Sequence, residues 1–135
     1  HEIELFEGVR DALTRYKQQG FWLAVATGKS RKGLDRALAH SGLAALFDIT
    51  RCADETFSKP HPAMLEQIMD YTGMDARRTL MIGDTSHDLL LAKNAGTDAI
   101  GVSYGAHPRH ELEAHQPVTI ADSFVELDQW LSTHA

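Results

Sequence analysis

Residues 80–96 read LMIGDTSHDLLLAKNAG, and the rest of the chain takes its reading from this stretch. Leu80, Met81 and Ile82 form a short apolar run that stops at Gly83; Asp84 and Asp88 follow, and a helix-like segment closes at Gly96. A short apolar run bounded by a turn residue suits a buried strand, here TLMIG (79–83), and the segment from about Ser86 to Ala95 suits a helix. Asp84 then ends a strand while Asp88 lies in the first turn of the next helix, so both can face one point above a sheet. Carboxylates that close repel each other unless one takes a proton or a cation sits between them. A hard cation such as Mg²⁺ is one reading. For Asp88 another stands beside it, since an acidic residue complements the positive end of a helix in any case.

Outward from this unit the alternation repeats. Residues 9–19 carry Val9, Ala12, Leu13 and Tyr16 at helical spacing before Gly20. FWLAVAT (21–27) is a continuous apolar run, expected as a strand buried on both faces. Ser30 can cap a helix through about His40, with Gly42 as its stop. DITRCA (48–53) is a weaker strand, and Pro62 can open a helix that ends at Gly73. DAIGV (98–102), a short helix near 109–115, VTI (118–120) and a helix over 123–131 complete the series. Strands alternating with helices in this way predict βαβ units, a mainly parallel sheet and one α/β domain over residues 1–135.

Composition narrows the partners. The chain has 135 residues, of which 43% are hydrophobic and 24% charged, in line with one globular unit. A net charge of −6 argues against nucleic acid, which is held by a surplus of Lys and Arg. Cys52 is the one cysteine, so no disulfide framework exists and a cytoplasmic location is expected. No apolar run approaches the roughly 20 residues of a membrane span.

In a parallel α/β sheet, ligands bind beyond the carboxyl ends of the strands. Three such ends carry polar residues: Thr27-Gly28-Lys29-Ser30, the loop leading to Lys59-Pro60, and Asp84. Thr27 and Gly28 can offer an O–H and backbone N–H groups to a phosphate oxygen, or Thr27 can simply end the strand while Ser30 caps the helix. Lys59, in a loop stiffened by Pro60 and Pro62, can be a fixed cation beside the carboxylates or a solvated surface lysine. The letters GKS at 28–30 are not a P-loop, because the motif requires glycine at position 23, which is leucine. In HPRHELEAH (107–115), His110 and His115 are five apart, which turns them away from each other and argues against a zinc helix. His87 is expected to point outward, and Cys52 to be a small core residue.

Taken together, VAT (25–27), SKPHP (58–62) and GDTSHDLLLAKNAG (83–96) resemble motifs II, III and IV of the haloacid dehalogenase-like hydrolases. GVSYGAHPRHEL (101–112) and ADSFVEL (121–127) resemble the end of that superfamily's phosphoglycolate phosphatase-like branch. The resemblance implies a three-layer Rossmann-like core and Mg²⁺-dependent hydrolysis of a small phosphorylated metabolite through an aspartyl-phosphate. Carried over by position, Thr27 and Gly28 would bind the phosphate, Lys59 would bind it and steady its charge in catalysis, and Asp84 and Asp88 would hold the metal.

The chain departs from the family in two places. Glu7 stands where relatives often have proline. More seriously, no aspartate here has another two positions away, whereas the family's nucleophile lies in a D-x-D at the end of its first strand. The expectation is therefore a C-terminal portion of the core, with the nucleophile strand and helical cap absent and the chain inactive alone. In the family that strand lies between the ones ending here at Thr27 and Gly83. A phosphomutase on the same scaffold, and a non-catalytic Mg²⁺/phosphate-binding protein, are the alternatives.

Overall fold

The computed structural model describes residues 8–135, so Glu7 lies outside the described residues. Five strands alternate with helices: α1 (Val9–Gln18), β1 (Ala24–Thr27), α2 (Arg31–Ser41), β2 (Ile49–Cys52), α3 (Ala63–Thr72), β3 (Leu80–Gly83), α4 (Ser86–Ala95), β4 (Asp98–Val102), α5 (Arg109–Glu113), β5 (Thr119–Ala121) and α6 (Phe124–His134). The boundaries follow local chemistry. Ser30 Oγ accepts the Gly33 N–H at 3.1 Å to open α2, and Gly42 closes it in a left-handed conformation at φ 72°.

All strand pairings are parallel, as expected, but they form two sheets rather than one. β1 pairs with β2, while β4 lies between β3 and β5. Among the described residues, β1 and β3 are thus each paired along one edge only. That division falls where the sequence reading placed a further strand.

Side-chain alternation along the strands builds the layers. Met81 of β3 and Ala99 of β4 pack with Leu65 of α3, Leu89 and Ala92 of α4 and Leu112 of α5, and Ala26 of β1 joins them. On the other face, Val25 and Cys52 meet Leu34 and Leu38 of α2, while Ile100 and Val102 meet Leu127 of α6. Cys52 is fully buried, as expected. The three layers are therefore α3–α4–α5, the strands, and α1–α2–α6. In the last, Arg15 binds both oxygens of Asp128 at 3.0 and 2.9 Å and the Tyr16 hydroxyl donates to the same carboxylate at 2.5 Å, tying α1 to α6.

One expectation is corrected. FWLAVAT is not a seven-residue buried strand: only Ala24–Thr27 is extended and paired, and Phe21 and Trp22 are 42% and 46% exposed. Among the described residues β1 is paired along one edge only, with β2, and Phe21 and Trp22 precede that pairing. The preceding residues are pinned instead by Asp48, whose Oδ2 accepts the Leu23 N–H at 2.8 Å and whose N–H donates to the Leu23 carbonyl at 2.7 Å.

Candidate active site

The carboxyl ends of β1 and β3 open on one cavity of about 500 Å³. Thr27 and Gly28 enter it from β1, Ser58 and Lys59 from the β2–α3 loop, and Asp84, His87 and Asp88 from the β3–α4 unit. Every residue singled out in the sequence for phosphate, charge or cation thus lines the same space, although they lie on three separate loops.

Thr27 Oγ1 accepts the Lys29 N–H at 3.1 Å. The turn therefore uses the oxygen's lone pair and leaves its O–H hydrogen to donate elsewhere. A Cβ placed on Gly28 would meet nothing within 4 Å, so this residue leaves open space where the backbone borders the cavity. The loop is steadied from behind by Arg31, whose guanidinium forks onto Glu55 at 3.0 and 2.8 Å and whose N–H reaches Asp54 at 2.9 Å. Arg31 holds the Glu55 carboxyl down at about 2. This ion pair joins the β1–α2 and β2–α3 loops, and so the phosphate-side residues to the Lys59 loop.

Asp88 is 4% exposed and spends its oxygens on the protein. Its Oδ2 accepts the N–H groups of Asp84 and Thr85, both at 3.2 Å, and Thr85 Oγ1 accepts the Asp88 N–H, completing a capping box at the start of α4. Its Oδ1 pairs with Lys59 Nζ. The helix-start role and the charge-partner role are therefore both filled by this one side chain. Gly83 makes the fold-back possible, since a Cβ there would lie 2.2 Å from Asp88 Cβ.

Asp84 differs. Its Oδ2 accepts the Ala106 N–H at 3.1 Å, and its Oδ1 accepts no hydrogen bond among the described residues. A Mg²⁺ ion is commonly held through one or two carboxylates, with waters and phosphate oxygens completing its shell. Asp84 Oδ1 fits that requirement directly, and Asp88 supports it by fixing Asp84's backbone. Among the described residues no cluster of three or more His, Cys, Asp or Glu could hold a metal, so further ligands would come from waters and phosphate or from groups beyond these residues.

His87 borders the cavity but is exposed, in keeping with the outward orientation expected of it. Sequence reasoning missed one contribution. The loop after β4 lies against Asp84, a contact between residues 22 apart that leaves no local pattern. The one available signal was the resemblance of residues 101–112 to a family tail.

The sequence matches the family described as haloacid dehalogenase-like hydrolase over residues 1–102. It is 44% identical over 124 residues to "Probable phosphatase IndB" of Dickeya dadantii (strain 3937), covering 91% of this chain and 54% of that protein. It is 32% identical over 126 residues to "Pyrophosphatase PpaX" of Bacillus mycoides (strain KBAB4), covering 93% and 59%. The crystal structure of a predicted phosphoglycolate phosphatase from Haemophilus somnus 129pt superposes with a TM-score of 0.87 at 28% identity, over 95% of this chain and 57% of that one. The chain thus spans somewhat over half the length of these relatives.

Proposed function

The chain belongs to the haloacid dehalogenase-like hydrolases, and from that premise we propose that the full-length protein is a Mg²⁺-dependent phosphatase of small phosphomonoesters, working through an aspartyl-phosphate. The observation that carries this reading is the single cavity shared by Thr27, Gly28, Lys59, Asp84 and Asp88.

In this reading Thr27 donates its O–H to a phosphate oxygen, and the backbone at Gly28 approaches the phosphate closely. Lys59 balances Asp88 and the incoming phosphate, a fixed charge in place before charge develops on the transferring group. Asp84 presents Oδ1 to the cation. When bound, Mg²⁺ would neutralise phosphate oxygens and help align the phosphorus for in-line attack. The nucleophilic carboxylate would arrive on a strand seated between the open edges of β1 and β3. It would attack phosphorus, release the alcohol, and be freed by water.

The substrate we favour is a small anionic phosphate ester of the phosphoglycolate type. Inorganic pyrophosphate is a second reading, favoured by two lysines, Lys29 and Lys59, on the same cavity. No helix among the described residues is long and apolar enough to cross a membrane; a cytoplasmic location is part of the proposal. The test is phosphate release from 2-phosphoglycolate, pyrophosphate and glucose 1-phosphate by the full-length protein with and without Mg²⁺. Mg²⁺-dependent release that is abolished by Asp84→Asn, with the fold retained, supports the reading. Undiminished activity in that variant refutes it, and a rearranged sugar phosphate without release would indicate a mutase.

A further inference from the structure

The run HPRHELEAH contains one histidine whose place the cavity chemistry leaves unexplained. We infer that His107 is a positioning residue: it locks the loop after β4 onto the β3–α4 turn, so that Asp84 is held with Oδ1 open to the cavity. The inference rests on the reading of Asp84 as the cation ligand.

Three contacts converge. Beyond β4 the chain turns back over Asp84 so closely that a Cβ on Gly105 would fall 2.4 Å from both Asp84 Cβ and Oδ2. The next residue, Ala106, donates its N–H to Asp84 Oδ2 at 3.1 Å, and His107 donates its N–H to the Asp84 carbonyl at 2.9 Å. The imidazole then reaches past the aspartate, and Nδ1 accepts the Ser86 N–H at 3.0 Å. Ser86 is the first residue of α4, where backbone donors have no partner inside the helix. The ring also lies edge-on to His87, with centroids 6.0 Å apart.

Accepting the Ser86 N–H requires a lone pair on Nδ1, so that nitrogen carries no proton. Glu111 Oε2, 3.4 Å away, is therefore a neighbour of Nδ1 and not its hydrogen-bond acceptor. The outcome is a closed brace. Backbone N–H groups hold one oxygen and the carbonyl of Asp84, and the imidazole anchors the loop that supplies them to the far side of the same turn. Without the imidazole acceptor, the Ser86 N–H loses its partner and the loop is held to the turn only by its own backbone bonds to Asp84, which are then free to loosen. As they loosen, Asp84 Oδ2 loses its donor and the carboxylate can rotate. Groups that orient a metal ligand in this indirect way typically alter metal affinity by about 10–100-fold when removed.

Two variants of the full-length protein separate the acceptor from the ring. His107→Phe keeps an aromatic ring beside His87 but has no acceptor; His107→Asn supplies an amide oxygen near the Nδ1 position without the ring. The readouts are Mn²⁺ binding by electron paramagnetic resonance without substrate, and hydrogen exchange of the Ser86 amide without metal. His107→Phe is expected to weaken Mn²⁺ binding about 10-fold and to speed Ser86 exchange. His107→Asn is expected to stay within about threefold of the parent. A folded His107→Phe that binds Mn²⁺ like the parent overturns the inference, as does a folded His107→Asn as weak as the Phe variant. A parent protein that binds no Mn²⁺ overturns the reading of Asp84 itself and the inference with it.

Discussion

Replacing Lys59 by Met tests the site through its stability before any turnover is measured. Lys59 and Asp88 form an ion pair whose side chains are 16% and 6% exposed. Methionine keeps most of the aliphatic stem, so the change removes the charge and leaves Asp88 Oδ1 without its donor. Breaking a buried pair from one side costs about 3–5 kcal/mol when the remaining charge finds no compensation. Here the Asp84 and Thr85 amides still hold Oδ2, and the adjoining cavity of about 500 Å³ admits water. The lower end, about 3 kcal/mol, therefore applies. For a unit of this size the unfolding entropy is roughly 0.3 kcal/mol per kelvin, so the melting temperature should fall by about 10 °C.

Calorimetry on the parent, Lys59→Met, Asp88→Asn and the double variant closes the cycle. Because Asn at 88 can still accept the two amides without carrying a charge, the double variant should recover part of the loss seen in Lys59→Met. A melting shift of less than about 2 °C in Lys59→Met, or a double variant that simply adds the two single losses, would refute the coupling. Turnover, in the proposed phosphatase, should fall at least about 100-fold in Lys59→Met even at temperatures where the fold is intact.

Gly83→Ala should displace Asp88, because the new methyl would lie 2.2 Å from its Cβ; a destabilisation of about 1–3 kcal/mol and weaker Mn²⁺ binding are expected by urea melts and titration. Asp128→Ala removes the acceptor from the Tyr16 hydroxyl, whose burial and bond to Asp128 push its phenol well above the ordinary range. A loss of about 1–3 kcal/mol is expected, with turnover at 25 °C unchanged, since the tie lies between α1 and α6 and away from the cavity. Glu55 is bound by Arg31 and sits at about 2, below its ordinary 4.5. Folding therefore favours its charged form, so its contribution is full above pH 4.5 and is lost as pH falls from there toward 2. The stability gap between parent and Glu55→Gln, followed by urea midpoints across this window, should close on acidification.

The order and kind of the elements were legible because their signals are local. Gly42, Gly73 and Gly96 end helices in the left-handed conformation, Ser30 caps α2, and the apolar run at 80–83 is a strand, all within a few residues of the letters that announce them. The cavity residues Thr27, Gly28, Lys59, Asp84 and Asp88 were legible for a related reason: each sits at a strand end, on a proline-stiffened loop or in the first turn of the helix after a strand, where parallel topology gathers ligands. Their assembly on one cavity follows from the alternation of strand and helix.

What tertiary structure alone decided is how each carboxylate is used. Asp84 and Asp88 look equivalent as letters. Yet Lys59, 29 residues away, takes one oxygen of Asp88, while the loop at 105–107 takes one oxygen of Asp84 and leaves the other open. The extent of β1 was decided the same way: FWLAVAT has the composition of a buried strand, but among the described residues only Ala24–Thr27 finds a partner strand, β2, and Phe21 and Trp22 stay partly exposed. Composition and spacing govern which backbone shapes a segment can adopt. Hydrogen-bond partners and buried faces depend on what distant segments bring to it, and that information is spread over the whole chain.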